Sequence, residues 1–259
     1  MTERERLSAA ADEVASRLSH ARRAAALTGA GISAESGIPT FRSGASALWR
    51  NFRAEELATP EAFARDPELV TDWYRMRLRT VRQARPNPGH IALAQIERRL
   101  MAHGAEFTLV TQNVDGLHAE GGSENIVELH GSIRTWRCVA CRKELSGSDL
   151  DGRADDESQR LLHCSCSSLL RPGVVWFGEA LPSDAWERAE RAATAAEVFI
   201  VAGTSAAVYP AAGLVAAAKH AGAFVVEINP EATGATAICD LSVRALSGEF
   251  LPLVADRLL

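Results

Sequence analysis

The chain has 259 residues, 28 basic against 33 acidic side chains, and a formal net charge of −5. A composition that is 47% hydrophobic and 24% charged suits one large globular domain, or a domain with a sizeable insert, and excludes a disordered chain or small disulfide scaffold. The acidic balance argues against a nucleic-acid partner, and no apolar run approaches the ~20 residues of a membrane span.

The N-terminal Met-Thr-Glu-Arg-Glu-Arg lacks the apolar core of a signal peptide, so a cytoplasmic protein with no membrane contact is expected. A helix is predicted over 12–23, where Val14, Ala15, Leu18 and Ala21 recur at helical spacing. Ala24-Ala25-Ala26-Leu27-Thr28 then runs into Gly29-Ala30-Gly31, as a buried parallel strand ending at a glycine turn would. Further strands are predicted over 107–111, 126–129, 174–176, 198–202 and 224–228, with helices over 88–103, 184–195 and 209–221. Strands alternating with helices imply an α/β protein with a doubly wound, Rossmann-like parallel sheet and ligands at the carboxyl ends of its strands.

Two stretches break the alternation: a helical, arginine-rich segment over 43–85 and a cysteine-bearing one over 134–171. The expected organisation is a Rossmann-like domain over 1–42, 86–133 and 172–259, with the two inserts packed together as a smaller domain. The acidic stretch from Ser146 to Glu157 is expected to be a solvated, mobile loop.

Gly29-Ala30-Gly31-Ile32-Ser33-Ala34 fits G-x-G-x-x-G/A, in which glycines let the backbone approach a pyrophosphate. A tight turn before a helix is the alternative. No acidic residue closes a second strand about 20 positions on, which disfavours an ordinary dehydrogenase and leaves the adenine ribose to another partner.

Of five cysteines, Cys138 and Cys141 form one pair and Cys164 and Cys166 another, while Cys239 stands alone. Two thiolate pairs in a reducing compartment suit tetrahedral zinc, and four protein ligands leave no place for water, so that zinc is structural. Cys239 reads as a small packing residue.

Thr111-Gln112-Asn113-Val114-Asp115-Gly116-Leu117-His118 follows a predicted strand and brings amides and a carboxylate to the sheet's edge. Glu128-Leu129-His130-Gly131 ends another, where His130 is either a base facing the cleft or a structural histidine. His20, His90, His103 and His220 lie on helical stretches and read as surface or packing residues. Gly203-Thr204-Ser205 and Asn229-Pro230-Glu231 close two more strands with groups suited to phosphate or ribose.

These motifs, with Gly29 through Arg42, Val174 through Glu179 and the cysteine pairs, occur in the order found in sirtuins. From about residue 24 to 252 the chain resembles the NAD-dependent protein-lysine deacylases of that family. The resemblance implies that Gly29, Ala30, Gly31, Ile32 and Ser33, with Phe41 and Arg42, cover the pyrophosphate and nicotinamide ribose. Gln112, Asn113 and Asp115 then line the ribose and nicotinamide pocket, with His130 as general base and Asn113 beside it. Gly203, Thr204, Ser205 and Asn229 hold the adenosine half, near Pro230, Glu231 and the backbone at Ser247. Val175, Phe177, Gly178 and Glu179 take the substrate backbone as an added strand, opposite Val208-Tyr209-Pro210. Zinc at the four cysteines is structural in the family, although the single residue between Cys164 and Cys166 makes a tighter knuckle than the common two.

The implied reaction is acyl transfer rather than hydrolysis by activated water. The acyl-lysine carbonyl oxygen attacks the ribose carbon bearing nicotinamide, which leaves. His130 takes a proton from a ribose hydroxyl that attacks the amidate carbon, and the acyl group ends on ADP-ribose.

Tyr74 and Arg77 are three residues apart and share a helix face, where a phenol and a guanidinium could receive a carboxylate. An amphipathic surface pair is the other reading. In the sirtuins called class III a tyrosine and an arginine at this spacing select succinyl- and malonyl-lysine, and the flanks Glu56 to Phe63 and Pro86 to His90 resemble that class. Small Ala45 and Ala47 fit a roomier pocket. The expected activity is therefore desuccinylation and demalonylation with deacetylation alongside, on protein or peptide substrates; a monomer is compatible with the sequence, which leaves the oligomeric state open. The alternatives are a plain deacetylase, a mono-ADP-ribosyltransferase and a non-catalytic NAD or ADP-ribose sensor.

Overall fold

The alanine-rich strand β1 (Arg23–Thr28) is the centre of the molecule, because helices cover both of its faces. The computed structural model describes residues 2–40, 53–156 and 158–258. Ala24 and Ala26 point into one core cluster, while Ala25 and Leu27 point into the other, the period of two that a strand imposes. Small side chains on both faces are what let helix layers close over a central strand.

The first cluster is closed by α1 (Glu3–His20), which starts earlier than the sequence suggests, on a capping box formed by Thr2 and Glu5. The same face carries α6 (Pro88–Ala102) and α11 (Ser247–Arg257). On the opposite face lie α9 (Ser183–Ala195) and α10 (Gly213–His220). The α10 helix begins four residues later than expected, after turns at 209–212.

Six parallel strands form the main sheet in the order β3-β2-β1-β7-β8-β9: Ile126–Glu128, Glu106–Thr111, Arg23–Thr28, Val198–Ala202, Phe224–Ile228 and Leu241–Val243. The chain runs outward from β1 to β2 and β3, then returns to β7 on the other side. That reversal leaves a crevice beyond the carboxyl ends of β1 and β7.

A second sheet of three strands pairs β4 (Gly131–Cys138) antiparallel with β5 (Glu144–Ser146) and β6 (Leu170–Val174). The apolar run expected as a strand over 174–176 thus belongs to β6, ends at Val174 and pairs outside the parallel sheet. The third apolar cluster joins this sheet to α3 (Ala54–Leu57), α4 (Pro60–Arg65) and α5 (Pro67–Gln83) through Trp73, Leu78, Trp136, Leu162 and Trp176.

Most of the acidic stretch is a helix rather than a loop. It folds α8 (Ser148–Ala154), whose Leu150 and Ala154 are buried in that cluster. Arg82 of α5 binds Asp151 and, at 2.9 Å, Asp155. Two buried apolar residues among the acids carry the helix down onto the core, which composition averaged over the stretch conceals. No helix among the described residues is long and apolar enough to cross a membrane.

Candidate functional site

The glycine turn is required by a close approach of two chain segments. The Gly31 N–H donates to the Gly203 carbonyl at 2.7 Å. A Cβ on Gly31 would stand 2.7 Å from that oxygen, and one on Gly203 would stand 2.3 Å from the Ile32 nitrogen. Gly203 also has φ +61°, the left-handed region that favours glycine. The loops after β1 and β7 are thereby held together at the floor of the crevice. Gly29 caps the five-residue α2 (Ala30–Ala34).

A cavity of about 250 Å³ lies above this junction and is lined by Gly29, Ala30, Gly31, Ser33, Gln112, Asn113, Asp115, His130, Gly203, Thr204 and Ser205. Tyr74, Arg77, Val175, Phe177, Gly178 and Glu179 line the same space. An adjoining space of about 570 Å³ is bounded by Asn229, Pro230, Glu231 and Ser247, and shares Gly31, Gly203 and Ser205 with the first. The side chain of Ile32 lines neither, being fully buried in the core. Phe41 and Arg42, and with them Ala45 and Ala47, lie outside the described residues.

Polar side chains at the strand ends are locked to one another. Ser33 Oγ donates to Asp115 Oδ2 at 2.8 Å and accepts from Asn113 Nδ2 at 3.1 Å, which also donates to the Gly29 carbonyl at 3.1 Å. Gln112 Nε2 donates to Thr204 Oγ1 at 2.9 Å, and Asn229 Nδ2 donates to the Thr204 carbonyl at 3.0 Å. Side-chain bonds of this kind fix the residues before any ligand arrives.

His130 sits just past β3, with Nδ1 2.9 Å from the Gln112 carbonyl oxygen. A carbonyl only accepts, so Nδ1 carries the proton and Nε2 keeps its lone pair. Burial lowers its pKa below the ordinary 6.5, and the Gln112 carbonyl opposes that in part. The imidazole is therefore neutral at pH 7 and able to accept a proton at Nε2.

For His90 the structure selects the packing alternative, and His118 joins it. His90 is fully buried at the start of α6, not a surface residue, and its ring lies 4.8 Å from that of His118. Its Nδ1 accepts from the Asn87 N–H at 3.3 Å and its Nε2 reaches Ser33 Oγ at 3.3 Å. Burial lowers the pKa of both, that of His90 to about 4, so both rings are neutral. Asn87 as helix cap with His90 three residues on was the local signal, and burial supplied the rest. His20, His103 and His220 are exposed, as expected.

On α5 the phenol of Tyr74 is buried and Arg77 is half-buried over the Trp73 ring, 4.7 Å from its centroid. Burial raises the Tyr74 pKa above 10, so the phenol keeps its proton. Burial also lowers that of Arg77, with Tyr74 and Asp115 opposing, yet a guanidinium stays charged in proteins.

The four thiols of Cys138, Cys141, Cys164 and Cys166 lie within 4.8 Å of one another. The Cys138–Cys166, Cys141–Cys164 and Cys141–Cys166 sulfurs are 3.5, 3.6 and 3.6 Å apart. Those separations exceed a disulfide's ~2 Å and match the edge of about 3.8 Å in a tetrahedron with Zn–S near 2.3 Å. The donor set fits zinc, and the short Cys-x-Cys knuckle does not spoil it. Tight turns shape both knuckles, with the Cys138 N–H on the Lys143 carbonyl and the Cys164 N–H on that of Ser168. His163 is exposed and outside the cluster. Cys239 is half-buried, with Sγ 3.2 Å from the Ala235 carbonyl, and burial pushes its thiol up to about 11.

Comparison with known proteins agrees with this architecture. The Sir2 family pattern matches residues 29–210. An NAD-dependent protein deacylase of Thermus thermophilus is 50% identical over 244 residues, 94% of this chain and 93% of the relative. One of Pyrococcus furiosus is 50% identical over 249 residues, 95% and 97% of the two chains. Among solved structures, a Sir2 homolog–NAD complex superposes with a TM-score of 0.86 at 46% identity, covering 95% of this chain and 93% of the other. A Sir2 complex with a deacetylated peptide and 3′-O-acetyl ADP ribose gives 0.85 at 33% identity, covering 94% and 96%. The chain belongs to the Sir2 family, an enzyme family whose members at half identity to it are NAD-dependent protein deacylases.

Proposed function

We propose that this chain is an NAD-dependent protein-lysine deacylase that prefers succinyl- and malonyl-lysine and retains deacetylation. The observation that carries the acyl preference is the lining of one cavity by His130 and by the Tyr74–Arg77 pair. A substrate threaded past His130 would meet a phenol donor and a guanidinium at its acyl end, groups matched to a terminal carboxylate.

NAD, when bound, supplies a ribose carbon made electrophilic by its nicotinamide leaving group. Gly29, Ala30, Gly31, Ser33, Gly203, Thr204 and Ser205 would follow its phosphates and riboses. Asn229, Pro230, Glu231 and Ser247 would face the adenosine half, and Ile32 would contribute through its backbone. Gln112, Asn113 and Asp115, tied through Ser33 and Thr204, would orient the nicotinamide ribose. His130 takes a ribose hydroxyl proton at Nε2, while the Gln112 carbonyl holds its other nitrogen. Val175, Phe177, Gly178 and Glu179 would pair with the peptide backbone, giving loose sequence selectivity. The four cysteines would hold a structural zinc outside this cavity's lining, and free thiols reserved for metal fit a cytoplasmic location.

The test compares succinyl- and acetyl-lysine peptides of one sequence by kcat/KM with NAD. Succinyl is expected to be preferred, and Arg77→Met is expected to lower the succinyl value about 10- to 100-fold by removing a charge-assisted hydrogen bond. An unchanged succinyl-to-acetyl ratio in Arg77→Met would leave a plain deacetylase.

A further inference from the structure

Trp176 lines the same cavity as the proposed carboxylate receptor and bonds to its phenol. It is 3% exposed, and its Nε1–H donates to the Tyr74 hydroxyl oxygen at 2.9 Å. A phenol has one proton to give and accepts through its oxygen. With the indole N–H on that oxygen, the phenol proton is turned away from Trp176. The same cavity is lined by Tyr74 and Arg77. Burial holds the phenol in its protonated form.

The indole is itself clamped. The Arg171 guanidinium carbon lies 3.4 Å from the Trp176 ring centroid, and the Phe63 ring packs against it at 5.4 Å. Glu179 closes the clamp. Its Oε1 and Oε2 accept from Arg171 at 2.5 and 2.9 Å, and Oε2 also accepts the Trp176 backbone N–H at 2.9 Å. A further Arg171 contact, Nη2 to the Val174 carbonyl at 2.9 Å, ties this assembly to the end of β6. A stacked, bidentate arginine of this kind restrains the ring in angle as well as position.

We propose that Trp176 is a positioning residue for acyl selection, fixing the direction of the Tyr74 O–H so that it donates to the terminal carboxylate of a dicarboxylic acyl chain. The proposal rests on the acyl preference argued above. Trp176 acts through Tyr74, and Arg171 and Glu179 act through Trp176. Any residue at 176 without an N–H, however well it fills the space, leaves the phenol free to rotate and weakens discrimination against an uncharged acyl group.

The experiment measures the ratio of succinyl to acetyl kcat/KM in Trp176→Phe, Tyr74→Phe, the double variant and Arg77→Met, beside the unaltered protein. Trp176→Phe is expected to lower the ratio about three- to tenfold. In the Tyr74→Phe background the same change is expected to move it less than about twofold, since the hydroxyl to be directed is gone. A protein carrying benzothienylalanine at 176, which keeps the indole shape without its N–H, should behave as Trp176→Phe does and replaces it if phenylalanine does not fold. The proposal is overturned if the ratio survives loss of the N–H while Arg77→Met lowers it, or if the Trp176 and Tyr74 effects simply multiply. A ratio indifferent to Arg77→Met overturns the acyl reading itself, and this proposal with it.

Discussion

His130 shows how one backbone contact assigns a chemical role. The Gln112 carbonyl can only accept, so it selects the Nδ1–H tautomer and leaves Nε2 with the lone pair that the proposed base needs. Because burial lowers the pKa below 6.5, the working neutral form persists at pH values where a free imidazole would be protonated. The kcat/KM profile should therefore be flat near pH 7 and fall on acidification with an apparent pKa below 6.5, read from initial rates across pH. His130→Ala should lower nicotinamide-coupled deacylation at least about 100-fold, with a retained Tm separating chemistry from folding. A motif scan finds His130 because it stands at a strand end beside glycine. It leaves His90 open between surface and packing, because a helical position says nothing about depth. Burial is a property of what packs over a residue, and only the three-dimensional contacts with Ser33 and His118 reveal it.

At the level of elements, function depends on where strands stop. The β1 and β7 ends meet through Gly31 and Gly203, whose backbones touch at 2.7 Å. Gly203→Ala would force a Cβ to within 2.3 Å of the Ile32 nitrogen and demand a left-handed backbone of alanine. Loss of NAD binding by calorimetry is expected, with a fall in stability of at least about 1–2 kcal/mol. A variant that binds NAD normally would show that this junction can open without cost.

Helix α5 makes the complementary point. Asp66 caps it by accepting the Leu69 N–H, Pro67 occupies its first position, and the helical period then sets Tyr74 and Arg77 on one face. The spacing was legible in the residues. The pairing of 170–174 was not. An apolar run reads alike whether its partner lies parallel in the large sheet or antiparallel in the small one, and β6 found β4.

On the scale of the whole molecule, the two sheets have separate apolar clusters, and only the smaller one includes Cys138 and Cys164. Removing zinc should therefore act first on β4–β6 and α8. With a strong chelator, Tm and deacylase activity are expected to fall while amides of β1, β2 and β7 stay protected from hydrogen exchange. Full activity in protein measured free of zinc would refute a structural metal. Arg82 bridging α5 to α8 carries a disturbance at the knuckles toward the helix that bears Tyr74 and Arg77, so the proposed acyl preference is expected to weaken along with Tm.

Net charge says little about local electrostatics, since a chain of net −5 lines its cavity with Arg77. The sequence by itself determined the parallel α/β architecture, the glycine turns, the thiolate pairs and the polar strand ends, all of which depend on local spacing and backbone geometry. Only the tertiary structure decided which strand joined which sheet, that the acidic stretch folds as a helix, that His90 is buried, and that Trp176 holds the Tyr74 hydroxyl. Each of those depends on surfaces far apart in the chain competing to leave water, a competition that no window of neighbouring residues contains.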